Sequence, residues 1–283
     1  MPNQLQIIQN KSFRYMDQTT ETAFQNKPFT ALTSFAIDDT LAESISDGAS
    51  SPTMRLWVHP KTVVLGIIDG RLPFLEDGVR YLKQRGYRTI IRNSGGLAVA
   101  LDDGVLNMSL IIPDVKHISI YEAYEEMVRF IQQMLSDVTQ DIKAYEIVGS
   151  YCPGDYDLSI DGKKFAGISQ RRIKDSAAIQ IYLDVEGSSH QRASLVRDFY
   201  HHSKKDVAVK FTYPEVDPTT MASLSDLLQT DITVEDMKKR AQSTLETYAA
   251  DMETYPFTAM ESAIFERRLK QMKQRNEDLS SIR

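Results

Sequence analysis

Asp161-Gly162 is the strongest local constraint on this 283-residue chain. It separates two β-patterned runs. Asp157-Leu158-Ser159-Ile160 alternates polar and apolar residues, and Lys163-Lys164-Phe165-Ala166-Gly167-Ile168 follows the pair. An Asp-Gly pair in that setting predicts a hairpin, because both central residues of a type I′ turn need φ > 0. Just upstream, Gly149-Ser150-Tyr151-Cys152-Pro153-Gly154 holds the only cysteine, and Pro153-Gly154 is a turn pair that leaves Cys152 at a strand end or in a loop. A hairpin returns the end of its second strand to the start of its first. Cys152 and the Lys164–Gly167 segment are therefore expected to meet, although 12 positions separate Cys152 from Lys164.

That meeting has a chemical reading and a bland one. The thiolate is the nucleophilic form of cysteine, and a free thiol's pKa of about 8.5 falls beside a cation. Cys152 is thus a candidate nucleophile and Lys164 its activator. The bland reading is a buried cysteine used as a small hydrophobe beside a surface lysine, the commoner fate of a lone cysteine.

Composition excludes several classes. Lys+Arg total 33 against 39 Asp+Glu, a formal charge of −6, which argues against a dedicated nucleic-acid surface. No apolar run approaches the roughly 20 residues of a membrane helix. Met1 to Ile8 shows no basic region followed by an apolar core, so no secretory leader is expected. One cysteine cannot form an internal disulfide. These features predict a cytoplasmic protein.

Periodicity gives a mixed α/β pattern. Strands are expected at 54–58, 62–66, 87–92, 97–101, 106–112 and 177–183, and Phe13 to Met16 reads as a short strand or arm. A helix from Leu75 to Arg85 ends at Gly86, and Ser119 caps a long helix from Ile120 to Ser136. Asp38-Asp39 reads as the acidic start of a helix reaching Ile45. Beyond His190 the pattern turns helical, with helices expected over 191–200, 221–228, 234–252 and 260–274. Arg171-Arg172 reads as an exposed basic edge, and the run from Glu266 to Gln271 as a solvated helix face. The five histidines (59, 117, 190, 201 and 202) have no metal-ligand spacing, so no metal site is expected. A dyad of Cys152 with His59 or His117 has no support in the pattern. Ser94-Gly95-Gly96 is followed by a β-rich run rather than a helix, which argues against a nucleotide phosphate loop.

Two stretches together carry a family resemblance. Asp161 to Gln170, Asp-Gly-Lys-Lys-Phe-Ala-Gly-Ile-Ser-Gln, resembles the gKKisGsaq motif of the lipoate–protein ligase and octanoyltransferase family. Arg92 to Asp102, Arg-Asn-Ser-Gly-Gly-Leu-Ala-Val-Ala-Leu-Asp, resembles that family's RRxSGGxAVxHD. The motifs stand in the family's order and at its usual distance, and the resemblance covers Leu32 to Val216. It implies the biotin/lipoyl ligase catalytic fold, a mixed β-sheet with packed helices. It also implies an essential lysine at Lys164 and a cysteine-dependent acyltransferase with Cys152 as the thioester nucleophile. By the same resemblance Arg92, Ser94, Gly95, Gly96, Ala98 and Gly167 would line the acyl site, and no cofactor is implied. The chain departs from the pattern at Asn93, where the family has a second Arg, and at Leu101, where it has His. Both departures speak against acyl-adenylate chemistry. With Asp69 in place of a frequent glutamine, they point to the branch whose donor is the octanoylated or lipoylated H protein of glycine cleavage. The acceptors of that branch are lipoyl domains of 2-oxoacid dehydrogenase subunits, with neither nucleic acid nor membrane as partner. An acyl-carrier-protein donor, an ATP-dependent ligase, a non-catalytic lipoyl-domain binder and a cysteine hydrolase remain as competitors.

The expected organisation is an N-terminal arm (1–31), a catalytic α/β domain (32–230) and a helical C-terminal extension (231–283). The expected oxyanion donors are backbone N–H groups of a Lys164–Gly167 turn or of the Gly95-Gly96 loop.

Overall fold

The computed structural model describes residues 5, 7–9, 11–205 and 207–282. The opening of the stretch read as lacking a leader (residues 1–4 and 6) lies outside them. The strands are, in chain order, β1 (Ser12–Gln18), β2 (Ala23–Phe24), β3 (Lys27–Pro28), β4 (Thr53–Trp57), β5 (Thr62–Leu65), β6 (Arg88–Ile91), β7 (Val99–Leu101), β8 (Val105–Pro113), β9 (Lys143–Ala144), β10 (Leu158–Ile160), β11 (Lys163–Ile173), β12 (Ser176–Asp184) and β13 (Asp251–Glu253). The helices are α1 (Ala31–Ser46), α2 (Leu75–Gln84), α3 (Ile120–Met134), α4 (Ser189–Lys204), α5 (Leu224–Leu228), α6 (Val234–Tyr248), α7 (Ala259–Arg275) and α8 (Glu277–Ser281).

Eight strands form a mixed sheet in the order β13-β1-β4-β8-β12-β11-β10-β9, and β6-β5-β7 form a second, smaller sheet. Strand alternation divides the large sheet into two faces. From β8, Leu106, Met108, Leu110 and Ile112 enter a core shared with Met127, Phe130 and Ile131 of α3 and Met237 and Leu245 of α6. The intervening Ile111 instead joins Ile37 and Leu41 of α1 and Phe265 and Leu269 of α7. Val63 and Leu65 of the small sheet pack with Val79 and Leu82 of α2 and Val196 and Phe199 of α4. Each fully buried aliphatic or aromatic side chain contributes about 1.5–3 kcal/mol relative to exposure.

Capping fixes the helix starts. Ser119, Thr233 and Thr258 each form a reciprocal capping box, with Glu122, Asp236 and Glu261. Glu261 also pairs with Arg14 of β1 at 2.9 Å, with both side chains fully buried.

Several expectations change here. Of the two readings of Phe13 to Met16, the strand forms: β1 runs inside the large sheet, parallel to β4 on one side and β13 on the other. The helix expected to reach Met252 stops at Tyr248, and Asp251–Glu253 becomes strand β13. Residues 251–253 thus lie beside β1 at one sheet edge.

The helix expected to begin at Asp38-Asp39 begins at Ala31, so both acids lie mid-helix and are buried. Asp38 accepts from Arg55 Nη1 at 2.5 Å, Ser109 Oγ at 2.7 Å and Gln180 Nε2 at 2.6 Å. Asp39 binds Arg171 through both carboxylate oxygens, at 2.6 and 3.2 Å. Arg171 is therefore a strut from β11 to α1 and no exposed basic edge. Arg172 likewise donates to Val115 O and Ile118 O. The charged face of α7 is engaged as well, because Arg267 and Arg268 hold Glu43 of α1 at 2.8 and 2.5 Å. Those two guanidiniums outweigh burial and hold the Glu43 carboxyl down at about 2.

Arg55 is fully buried. Removing one member of a buried ion pair costs about 3–5 kcal/mol, because the other charge is stranded. Asp38→Ala should lower the urea-unfolding free energy by about that amount with an unchanged m value. A loss below about 1 kcal/mol would mean that Gln18 and Ser34, which also bind Arg55, suffice alone.

Candidate active site

The predicted hairpin forms. Asp161 and Gly162 take φ of 51° and 75°, the signs of a type I′ turn, and Ile160 pairs with Lys163 across it. One step on, Ser159 pairs with Lys164 but Leu158 pairs with Ala166, so Phe165 is an extra residue on β11. Such a bulge re-aims the side chains beside it. Lys164–Gly167 is therefore a bulged strand segment rather than a turn, with Ala166 and Gly167 also paired to Leu183 and Tyr182 of β12.

Lys164 is completely buried. Its Nζ donates to Tyr151 O and Cys152 O, both at 2.9 Å, approaches Ser150 Oγ at 3.3 Å, and pairs with Asp157 Oδ1 at 2.8 Å. The lysine thus meets the cysteine, as hairpin closure predicts, but it grips the main chain. Cys152 is held at φ 47°, on the left-handed side, with Pro153 following. A non-glycine residue there costs on the order of 1–3 kcal/mol and persists where its surroundings enforce it. Burial pushes the Asp157 carboxyl up, and the Lys164 ammonium beside it acts in the opposite direction.

The sulfur is addressed from the other motif. Leu97 N–H donates to Cys152 Sγ at 3.1 Å and Arg92 Nη2 at 3.4 Å, and the same Nη2 donates to Leu97 O at 2.9 Å. The loop from 92 to 98 is braced beneath. Gly66 N–H donates to Asp69 Oδ2 at 2.7 Å, Tyr200 Oη–H to Asp69 Oδ1 at 2.9 Å, and Ala98 N–H to Tyr200 Oη at 3.1 Å. Burial pushes the Asp69 carboxyl up to about 6, against those hydrogen bonds and the Arg92 charge.

Two glycines are required by approach. A Cβ on Gly66 would overlap Gly96 O. A Cβ on Gly96, which sits at φ 105°, would overlap the Arg92 guanidinium and press on Cys152 Sγ at 2.9 Å. Gly167 leaves room for the Tyr182 ring, whereas a Cβ on Gly95 would meet nothing within 4 Å. The N–H groups of Gly95 and Gly96 make no hydrogen bond among the described residues, so this loop retains free donors beside the sulfur. Ser94 Oγ and Asn93 Oδ1 are also buried without a partner.

Cys152, Arg92, Gly95, Gly96 and Gly167 line one cavity of about 320 Å3. Phe35, Trp57, Val64, Val99, Leu101 and Ile181 supply apolar wall, and Tyr121, Tyr124 and Tyr156 also line it. Leu101, the departure from the family's histidine, is thus wall. His59 also lines the cavity, but it is bonded to Ser34 at 2.9 Å and pushed down to about 3, by burial first and then by Arg55 and Arg88. It is neutral at pH 7, and neither His59 nor His117 is among the sulfur's hydrogen-bond partners. Among the described residues no group of three or more His, Cys, Asp or Glu side chains could hold a metal ion. None of their helices is long and apolar enough to cross a membrane.

Of the residues singled out from sequence, Ala98 and Ser94 lie in the braced loop, and the others meet at the cavity or, for Lys164, at the cysteine backbone. Sequence reasoning missed Asp157 as the partner of Lys164 and missed the Asp69–Tyr200 brace. Asp157 was legible only as an alternating polar residue, and no local pattern links Asp69 to a residue 131 positions away.

The site is thus a thiol in the wall of a largely apolar cavity within a mixed α/β fold. A profile of the lipoyl protein ligase A/B catalytic domain matches residues 30–246. The chain is 58% identical over 277 residues to an octanoyl-[GcvH]:protein N-octanoyltransferase of Oceanobacillus iheyensis, covering 98% of this chain and 99% of the relative. It is 46% identical over 260 residues, 92% of each chain, to a lipoyl-[GcvH]:protein N-lipoyltransferase of Listeria monocytogenes. The solved structure of lipoate-protein ligase A bound with ATP shares the fold, with a TM-score of 0.69 at 16% identity, over 93% of this chain and 95% of the other. The chain belongs to the lipoyl protein ligase A/B catalytic domain family.

Two substitutions separate site geometry from stability. Gly96→Ala should cut alkylation of Cys152 by iodoacetamide about tenfold or more, since small misplacements at a reacting centre are that costly. Gly95→Ala should leave alkylation within about twofold. Equal effects in both would contradict the tight approach at Gly96. The Asp69 shift makes a separate pH prediction. A carboxyl raised on folding contributes stability that is complete below its unfolded pKa of about 4 and is lost as pH rises through its folded value. Wild type should therefore lose up to about 3 kcal/mol between pH 4 and 7 relative to Asp69→Asn. Parallel stability curves for the two proteins would refute the shift.

Proposed function

We propose that this protein is an acyltransferase that moves an octanoyl or lipoyl group from GcvH, the glycine cleavage H protein, to the lipoyl-domain lysine of 2-oxoacid dehydrogenase acyltransferase subunits. The observation that carries the reading is the position of the sole cysteine, whose sulfur receives Leu97 N–H and Arg92 Nη2 at the wall of the apolar cavity. The names of the near-full-length relatives support GcvH as donor.

In this reading the Cys152 thiolate attacks the amide carbonyl of the donor's acyl-lysine. The C–N bond breaks, the leaving lysine nitrogen takes a proton from solvent to depart as an amine, and the acyl group remains as a thioester. The acceptor lysine then attacks the thioester as a neutral amine, its nitrogen gives up one proton to solvent, the C–S bond breaks, and the thiolate returns. In this reading the Gly95 and Gly96 N–H groups, which have no partner among the described residues, bind the carbonyl oxygen as it becomes anionic, a contribution of about 3 kcal/mol per donor. Lys164 holds the cysteine main chain in the conformation that presents Sγ. Arg92 and Leu97 N–H supply the hydrogen bonds that a sulfur anion accepts. The cavity wall stabilises the acyl chain by about 0.8 kcal/mol per buried methylene. Tyr121 and Tyr156 edge the cavity with their rings 6.3 Å apart, and Tyr121 is largely exposed. They form the face that a protein-borne acyl-lysine would cross.

Intact-mass measurement tests this directly. Incubation with octanoyl-GcvH should add one octanoyl group that hydroxylamine removes, and Cys152→Ser should gain none. A hydroxylamine-stable adduct, or an equal adduct on Cys152→Ser, would sink the thioester. An adduct obtained only with octanoyl-acyl carrier protein would move the donor to that protein.

A further inference from the structure

We propose that Asn276, between α7 and α8, is a positioning residue for the thiol site, fixing Arg92 against Cys152 from the far end of the chain; this rests on the reading of Cys152 as the nucleophile. Asn276 is 2% exposed and lies 185 positions from the strand it touches. Its Oδ1 accepts Ile91 N–H at 2.6 Å, and its Nδ2 donates to Ile91 O at 3.0 Å and to Met272 O at 2.9 Å. One side-chain amide thus satisfies both main-chain groups of a single residue, as a neighbouring strand would.

The place of that contact matters. β6 is an edge of the small sheet, and its unpaired side is where Asn276 binds. Ile91 is the last residue of β6, and Arg92 follows it. Arg92 N–H donates to Leu65 O of β5 at 2.9 Å. The strand exit is therefore held from both sides, by β5 and by Asn276. From that exit the Arg92 side chain reaches Leu97 O and Cys152 Sγ. Its Nε has no partner, so the Nη2 bonds and the backbone that carries the side chain together set its aim. α7 is itself anchored, with Phe265, Leu269 and Met272 packed against α1, and Leu279 of α8 enters the core of the small sheet. The C-terminal helices hold Asn276 firmly enough for it to act as a fixed clamp.

The test follows Cys152 alkylation by iodoacetamide across pH in Asn276→Leu, Asn276→Asp, Arg92→Met and Leu269→Ala. Asn276→Leu removes the clamp at similar volume, and Asn276→Asp keeps the acceptor for Ile91 N–H. Leu269→Ala lowers stability from the same helix without touching Ile91. We expect Asn276→Leu to slow alkylation at pH 7 about tenfold and to move its pH profile upward toward that of Arg92→Met. Asn276→Asp should recover part of the rate, and Leu269→Ala should keep the wild-type profile despite its lower Tm. A wild-type profile in folded Asn276→Leu would overturn the proposal. So would an equal displacement in Leu269→Ala, or a wild-type profile in Arg92→Met, which would leave nothing for Asn276 to position. Failure to form an acyl-enzyme from octanoyl-GcvH would instead remove the thioester reading, while the alkylation profiles still decide the clamp.

Discussion

The buried ammonium of Lys164 is the interaction on which the site depends. A lone charge in a protein interior carries a desolvation penalty of several kcal/mol, so its environment must supply acceptors and a counter-ion. Here the acceptors are the carbonyls of Tyr151 and Cys152, and the counter-ion is Asp157. The lysine can be satisfied only if the 150–157 segment wraps around it, and wrapping turns Cys152 into its left-handed conformation. The lysine's own main chain is tied down too, because Lys164 O accepts Ala222 N–H at 3.1 Å. Sequence order, hairpin, bulge and buried charge thus converge on the orientation of one side chain.

Around that point the protein separates two kinds of work. The large sheet buries an apolar core on its α3 and α6 face. On its α1 face lies a polar row in which Arg55, Ser109 and Gln180 share Asp38. The small sheet carries the glycine loop and is braced by α4 through Tyr200 and by the C-terminal helices through Asn276. The cavity is lined by residues of both sheets, Trp57 and Ile181 of the large one and Val64 and Val99 of the small one. A site at such a junction draws its thiol from the segment that leads into one sheet's hairpin and the donors around the sulfur from the other sheet's loop.

Local chemistry made the centre of this site legible in the sequence. Asp161-Gly162 dictated a turn, alternation dictated the strands, and Gly86 and Ser119 marked helix ends where they occur. What escaped reading was nonlocal. Asp38-Asp39 has the composition of a helix start, and only the strands packed beneath α1 show it to be mid-helix. Arg171-Arg172 and the charged face of α7 look solvated until α1 supplies Asp39 and Glu43. Strands β1 and β13 pair in parallel across more than two hundred residues, and so short a strand leaves little periodic trace. The role of Lys164 illustrates the same limit: spacing brought it to Cys152, but whether an ammonium faces a sulfur or a carbonyl is decided by the bulge at Phe165.

The contact between Gly66 and the Gly96 carbonyl has a consequence for how such an enzyme could be altered. With the Gly96 carbonyl against Gly66, and the Arg92 guanidinium and Cys152 Sγ against Gly96, neither position has space for even a methyl group, so that part of the site is closed to adjustment by substitution. The rest of the lining includes ordinary side chains, Phe35, Leu101 and Ile181 among them, whose size can change without moving the backbone. Selection for a longer, shorter or bulkier acyl chain would have to act there. The glycine loop is a fixed template beside the sulfur, and the side-chain lining is the adjustable gauge of what fits it.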